Sequence, residues 1–527
     1  MIALLVSASL LGPVTLAEPP RATLQAISTH IEAWDLPAAR AELAPLEPDY
    51  ADDPDVVFLH GRVSFYEGRY DDAVTQLEAV AAAMPGDKQV ASALALYRST
   101  RDVTQGFSRV PSSRGRFVFV FAPGPDEVLL PYLDEAMEAA ADTLGEAFAH
   151  VPSEPVRIEI LARPEQLASV SPLKPSEIRT TGTIALCKYN RLIAVSPRAL
   201  VYGYPWLDAV VHEYVHYLVT QLSRNNVPVW LHEGIAKYYE SRWREKPPHR
   251  LNRLSEDLLA RGLSEKNLVP FDAMSPSLAK LPTAEEAALA YAQVFTVIGL
   301  LYEHGGDALI RKLLAAMRNG LPDRKAVELV SGKSFARFER EWKNTLFGMN
   351  LRRLPIHQGS RMLFRDSTKP SEELDSVGES EARDLADIAD RLAVKERFRA
   401  AAIEYQKALT KAGGPDPLIS ARLASMLLKL GQQGDVSGVV TPALELNSDH
   451  ILLHLYRGKA RLALGDPDGA RSDFERAIRL NPFDPEVHGL LADALSRLGD
   501  TDAAAAERRQ QRLLLPDANV DPKPTPP

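Results

Sequence analysis

The sequence predicts an α+β protein, with a central domain of mixed β-sheet and helices between two α-solenoid arrays of helical repeats. Internal repeats predict the two arrays. Near the C-terminus a 34-residue separation joins Gly431, Gly465 and Gly499, and near the N-terminus the same separation joins Ala39 and Ala73. Between these regions the pattern changes to short β-rich runs and then to longer helical stretches. A chain of 527 residues has room for this number of domains.

Residues 1–17 predict a signal peptide. The apolar run 2–11 is too short to span a membrane, and Thr15-Leu16-Ala17 resembles a small-residue cleavage site. The usual positive segment is missing, so the alternatives are a true start further upstream and an uncleaved N-terminal anchor. No lipid-attachment Cys follows the apolar run. The single cysteine, Cys187, excludes an internal disulfide. We therefore expect an exported protein, in a bacterial periplasm or secreted.

The repeats place helical arrays at residues 22–106 and 381–515. The C-terminal array has the clearest repeat, in which Gly458, Gly465, Ala470, Phe474, Ala477 and Pro482 occupy the relative places of the tetratricopeptide pattern. This region resembles a tetratricopeptide (TPR) array, and Gly61, Gly68 and Pro85 fit the same template near the N-terminus. The polar stretch 351–380 predicts a linker, and 516–527 predicts a disordered tail.

The central domain, residues 114–350, begins with strand signals. The runs at 116–122 and 155–161 are β-rich, and 182–196 predicts two strands around a Tyr-Asn turn. A helix is expected in the stretch 126–148 between the first two strands. Helical patterns then continue to about residue 348.

Residues 208–219, DAVVHEYVHYLV, carry the main candidate for chemistry. His212 and His216 are four residues apart and so share one helix face. Two imidazoles at this spacing can bind one tetrahedral metal ion, typically zinc, and Glu213 beside them could take a proton from a metal-bound water. His450 and His454 have the same spacing without a following Glu, and we interpret that pair as helix surface or packing.

A catalytic zinc site needs a third protein ligand. Glu233 follows His216 by sixteen residues, in the first turn or so of a helix that Pro228 introduces. A short loop would bring this helix back to the first one, and Gly234 leaves room beside the ligand. His232 is a rival ligand, and the alternative for Glu233 is a favourable acid at a helix N-terminus.

The pair of motifs, HEYVH and VPVWLHEGIA, resembles the gluzincin metallopeptidases with a peptidase MA-like domain. The resemblance covers residues 115–350 and implies a zincin-like catalytic domain, with one zinc ion bound by His212, His216 and Glu233 and with Glu213 as acid/base. There are departures from the family patterns. No metzincin continuation follows His216, no G-A-M-E-N segment appears, and Lys237 stands where the thermolysin branch has an Asp.

Further candidates lie outside the two motifs. The resemblance suggests Tyr291 as a donor to the oxyanion of the reaction, with a core tyrosine as the equal alternative. His304 is expected at a helix end. Asp208 is expected as a helix N-terminal acid, with an outer partner of the zinc ligands as the alternative. The strand 182–187 could pair with an extended substrate or be a plain sheet strand.

The sequence thus predicts a zinc-dependent peptidase whose TPR repeats recruit protein partners or substrates. Alternatives are an inactive exported TPR scaffold with a peptidase-like binding domain, and a structural metal site closed by His232. The net charge of −9 gives no basic surface for nucleic acid. No membrane span is expected apart from the possible N-terminal anchor.

Overall fold

The computed structural model describes residues 19–275, 277–278, 281–354, 363–365 and 370–515. The predicted signal peptide and C-terminal tail lie outside these residues, as does part of the predicted linker. The chain divides after Arg101 into two compact units.

The first unit is helical, with the central pair α4 and α5 crossing closely. Gly61 makes this possible, because a Cβ there would lie 2.2 Å from Leu77 Cδ1. Apolar residues such as Ile27, Ile31 and Val56 form its core. The helices are α1 (Arg21–Glu32), α2 (Leu36–Leu43), α3 (Glu47–Tyr50), α4 (Pro54–Tyr66), α5 (Tyr70–Ala83) and α6 (Lys88–Thr104).

The second unit contains a five-stranded mixed sheet in the order β1-β2-β3-β5-β4. The three central strands run parallel, and the two edge strands are antiparallel to their neighbours. The strands are β1 (Ser108–Pro111), β2 (Phe117–Phe121), β3 (Val156–Leu161), β4 (Ala185–Lys188) and β5 (Arg191–Val195). Tyr189 and Asn190 turn between β4 and β5 with positive φ angles of 56° and 57°, as the Tyr-Asn turn predicts.

Nine helices of the described residues accompany the sheet, and they carry the candidate site. They are α7 (Leu130–Phe148), α8 (Pro164–Ser169), α9 (Pro175–Thr181), α10 (Trp206–Ser223), α11 (Val229–Tyr239), α12 (Arg253–Ser264), α13 (Ala284–Arg318), α14 (Asp323–Ser331) and α15 (Phe335–Gly348). Helix α10 packs on β4 and β5, and α11 packs on α13. Gly234 allows that second contact, because a Cβ there would lie 3.0 Å from both Ile298 Cγ1 and the Val294 carbonyl oxygen.

Helix α13 is long and apolar enough to cross a membrane by length and composition, and 56% of its most apolar window is buried inside the fold. Burial of this kind is what a core helix shows. The helix is also interrupted, since Gly305 and Gly306 have non-helical backbone angles. His304 therefore lies at the end of a helical segment, where the sequence predicts it.

The C-terminal array consists of four helix pairs in the same compact unit as the sheet. They are α16 (Ser380–Val394), α17 (Phe398–Lys411), α18 (Pro417–Lys429), α19 (Gln433–Leu446), α20 (Ile451–Ala463), α21 (Pro467–Leu480), α22 (Pro485–Leu498) and α23 (Thr501–Leu514). Gly458 brings α20 against the Phe474 ring, much as Gly61 does in the first unit. Within the range predicted as linker, Pro370–Ser376 is a 3₁₀ helix, and its Leu374 joins the array core together with Val377.

Candidate metal centre

Helix α10 presents two histidines to one point. Its apolar side is fully buried through residues such as Val211, Val215 and Leu218, which fixes the rotation of the helix against the sheet. His212 and His216 lie one turn apart on another face, with ring centroids 4.7 Å from each other. Their side chains remain 14% and 13% exposed, so the face opens to solvent.

Glu233 meets both histidines from α11. Its Oε2 lies 3.3 Å from His212 Nε2 and 3.4 Å from His216 Nε2. Two ligands bound at about 2.0–2.1 Å to one tetrahedral ion would be about 3.3–3.4 Å apart, so the distances from Glu233 to the two histidines fit a shared zinc. The residue is the fifth of its helix, just past the first turn, which is where the sequence predicts it. Its carboxylate faces the two histidine rings.

The charges of the three groups are strongly coupled. Burial opposes a charged His212, but hydrogen bonds to Glu233 and Glu240 outweigh it and raise the pKa of His212 to about 10. Burial likewise opposes a charged Glu233, and the charges of His216 and His212 hold the pKa of its carboxyl well below the usual range. The pocket thus stabilises a carboxylate beside positive charge, which a bound cation would supply.

Glu240 lies behind His212 and was not predicted from the sequence. His212 Nδ1–H donates to Glu240 Oε2 at 3.0 Å, and Lys237 Nζ donates to Glu240 Oε1 at 2.6 Å. Such a carboxylate fixes the tautomer of the imidazole and turns the Nε2 lone pair towards the metal position. The signal in the sequence is spacing, because Lys237 and Glu240 follow Glu233 by four and seven residues on one face of α11.

His232 lies behind His216. The two Nδ1 atoms are 2.5 Å apart, and His232 Nε2 lies 3.4 Å from Thr220 Oγ1. Burial and then the charge of His216 lower the pKa of His232 to about 3, so this ring is neutral. His232 Nδ1 then accepts a hydrogen bond from His216 Nδ1–H, while His216 Nε2 faces Glu233. His232 is therefore not the rival ligand that its sequence position suggests; it orients His216.

Glu213 faces the edge of the sheet. The side chain is buried, and its carboxylate accepts a hydrogen bond from the backbone N–H of Cys187 in β4. Burial raises the pKa of this carboxyl, and the charges of His216 and His212 partly oppose the change. A carboxylate with a raised pKa is a stronger base, which suits a residue that accepts a proton. Burial also raises the pKa of the Cys187 thiol well above its usual range, so this cysteine stays neutral.

Tyr291 comes to the same place from α13. Its hydroxyl is within hydrogen-bonding reach of Glu233, and burial together with the charges of Glu233 and Glu213 raises the pKa of the phenol well above its usual range. The hydroxyl therefore keeps its proton and can donate it in a hydrogen bond. The structure places Tyr291 beside Glu233, at the candidate metal centre, rather than in the core alone.

The other sequence candidates lie away from the centre. Asp208, in the first turn of α10, accepts hydrogen bonds from Trp243 and Arg244, as expected for an acid that does not contact the histidines. His304 forms an ion pair with Glu341 at 3.3 Å. His450 precedes α20, and His454 bonds to the Ser448 carbonyl oxygen and Asp473, so that pair packs within the array.

Comparison with protein families agrees with this geometry. Residues 136–348 match the model of the Peptidase MA superfamily. The chain contains a Peptidase MA superfamily domain. Residues 455–510 match a tetratricopeptide repeat model, so the resemblance to a peptidase MA-like domain with TPR repeats is confirmed, as is the α+β fold class. No curated protein matches the chain.

Three solved structures are similar to parts of the chain. The crystal structure of MamA has 19% identity over 24% of this chain and 75% of its own, with a TM-score of 0.23. The first TPR of Spaghetti (RPAP3), bound to an HSP90 peptide, has 23% identity over 23% of this chain and 97% of its own, with a TM-score of 0.23. YrrB, a TPR protein with an unusual peptide-binding site, has 23% identity over 28% of this chain and 73% of its own, with a TM-score of 0.24.

Proposed function

We propose that this chain is a zinc-dependent peptidase with one zinc ion per chain, bound by His212, His216 and Glu233. The observation that carries the proposal is the convergence of two Nε2 atoms and one carboxylate oxygen at separations of 3.3 and 3.4 Å. Among the described residues no fourth ligand joins these three, because His232 is turned towards His216, and the fourth position is therefore open. Catalytic zinc sites keep such an open position, whereas structural sites close it with a fourth protein ligand.

The residues around this position divide the work of peptide hydrolysis. When bound, zinc supplies Lewis acidity, which lowers the pKa of a bound water and polarises a carbonyl group. Glu213 accepts the proton of the attacking water and later passes it to the leaving amine. Burial raises the pKa of its carboxyl, which makes the carboxylate a stronger base for the first transfer.

Substrate orientation falls to β4 and Tyr291. Strand β4 is the last of the sheet, so its outer edge has no strand partner within the described chain, and an extended peptide can pair with it. Glu213 already contacts this strand through the Cys187 N–H, so a peptide on β4 would lie beside the base. The protonated Tyr291 hydroxyl is the candidate donor to the oxyanion that forms on the carbonyl carbon.

Zinc analysis and peptide cleavage test the proposal together. The purified chain should hold about one zinc, and His216→Ala should lose it. Glu213→Gln should keep the zinc and lower peptide turnover by about 10²–10⁴-fold, because Gln cannot accept a proton. Tyr291→Phe should keep the zinc and lower turnover by about 10²–10³-fold as the loss of one oxyanion donor.

Two outcomes would contradict the peptidase. If Glu213→Gln cleaves as fast as the wild-type chain, Glu213 is not the base. If the zinc-loaded wild type cleaves nothing in a broad peptide library, the domain is a catalytically inactive binding module and the chain is a scaffold.

Protein partners and export complete the proposal. The TPR match supports binding of protein partners or substrates by the repeats. Export to a periplasm or to the medium rests on residues 1–17, and the N-terminal sequence of the mature chain tests it. A mature chain that begins with Met1 and stays in the soluble cytosolic fraction would contradict export.

A further inference from the structure

The segment between β5 and α10 lies directly against the C-terminal array. Gly203 has a positive φ of 69°, and a Cβ there would lie 2.3 Å from the Leu480 carbonyl oxygen at the end of α21. Tyr204 N–H donates to that same oxygen at 3.2 Å. The two backbones therefore touch, and only glycine fits at the point of closest approach. We call residues 201–205 the entry segment, because they lead into α10.

Tyr202 of the entry segment inserts between helix pairs of the array. Its hydroxyl donates to Glu373 Oε2 at 2.5 Å, and Glu373 also accepts from Arg422 of α18 at 3.0 Å. The Tyr202 ring lies 5.4 Å from the His450 ring at the start of α20 and packs against the apolar cores of both halves of the array. Helices α18 and α20, the first helices of neighbouring pairs, pack side by side, so the phenol occupies the groove that they form.

A second connection reaches α10 from α21. The Arg479 guanidinium lies 5.8 Å from the centre of the Trp243 ring. Trp243 Nε1 donates to Asp208 at 2.8 Å, and Asp208 lies one turn before His212. The array thus contacts the start of the histidine-bearing helix by two routes, one through the entry segment and one through Asp208.

We propose that the groove between α18 and α20 has an intramolecular ligand, the entry segment with Tyr202 as its anchor, and that the array thereby positions α10. Repeat arrays commonly use such grooves to bind the peptides of other proteins. Here the Tyr202 ring and its hydroxyl, which donates to Glu373, already occupy the groove. The glycine that follows lies against the end of α21. A partner polypeptide that uses this groove has to displace Tyr202 and release the start of α10.

Hydrogen exchange of the full-length chain tests this coupling. Tyr202→Phe keeps the ring and removes the hydrogen bond to charged Glu373. Loss of such a bond corresponds to about a 10- to 100-fold change in an opening equilibrium. We expect amide exchange in residues 209–214 and in α18 and α20 to accelerate by about that factor, and Tyr202→Ala to accelerate it further.

Tyr405→Phe is the matched control. Tyr405 donates to Asp390, which also pairs with Arg422, so this variant changes the same network without touching the entry segment. It should accelerate exchange within the array and leave residues 209–214 at the wild-type rate. Two results would overturn the proposal. One is exchange of residues 209–214 at the wild-type rate in both Tyr202 variants. The other is an acceleration of these residues in Tyr405→Phe as large as that in Tyr202→Phe. The measurement needs no peptide turnover, so failure of the peptidase proposal would leave its outcome readable.

Discussion

Replacing Glu240 by Gln removes one negative charge from behind His212 and leaves the ligand set intact. In the native chain the carboxylate accepts from His212 Nδ1 at 3.0 Å and from Lys237 Nζ at 2.6 Å. Lys237 and then His212 lower the pKa of the Glu240 carboxyl against the effect of burial, so the charge is present at neutral pH. Outer partners of metal-binding histidines are typically worth about 10–100-fold in metal affinity. We therefore expect Glu240→Gln to weaken zinc binding by that factor.

The assay is competition for zinc with a chelator of known affinity, with helix content followed by circular dichroism. Glu245→Gln is a matched control, because it removes the same charge five residues further along, from an exposed carboxylate that pairs with Arg244. Glu245→Gln should bind zinc within about twofold of wild type, since exposed ion pairs contribute little. Unchanged affinity in Glu240→Gln, or equal weakening in Glu245→Gln, would refute the role of Glu240.

Three further outcomes follow from the site and its supports. Gly234→Ala should lower the free energy of unfolding by about 1–3 kcal/mol in denaturant, because α11 has to move away from Val294 and Ile298. Gly434→Ala, which has no atom near the new Cβ, should leave the stability unchanged, and an equal loss of stability in both variants would contradict the close contact. Zinc affinity should fall about tenfold per pH unit as the pH drops from 8 to 6, because the pKa of metal-free His212 is raised to about 10 and zinc must displace its proton. An affinity that equilibrium dialysis finds independent of pH would exclude this competition between zinc and the proton. His232→Leu should weaken zinc binding by about tenfold, because His216 loses its hydrogen-bond acceptor. His232→Asn should recover part of this loss, since its side-chain oxygen can accept the bond. Equal zinc affinities of the two variants and the wild type in a chelator titration would show that His216 needs no acceptor.

The parts of the site within local reach in the chain could be predicted from the sequence. Spacing places His212 and His216 on one face, and the turn before Val229 brings Glu233 back to them. The Tyr-Asn turn between β4 and β5 was equally predictable, because two residues with positive φ are typical of tight hairpins. Each of these features depends on fewer than about thirty residues of chain.

The residues that orient the site needed the structure. Glu240 and His232 act on Nδ1 atoms, and periodicity tells which helix face a residue shares but not which ring nitrogen it meets. The contact between Gly203 and Leu480 joins positions far apart in the chain, and no repeat or turn signal points to it. The 34-residue repeats predict the array itself, because each pair packs on its neighbour, whereas its attachment to the central domain depends on single side chains such as Tyr202.

The interruption of α13 at Gly305 and Gly306 has a consequence for access to the site. Before the break, α13 contacts Gly234 and carries Tyr291; after it, Asp307 binds the Tyr239 hydroxyl at 2.7 Å. The two segments therefore hold α11 at its middle and at its C-terminal end, and they keep Glu233 beside Tyr291. We expect a polypeptide substrate to approach the centre from the opposite side, between the edge of β4 and the start of α10, where the outer edge of the sheet has no strand partner within the described chain.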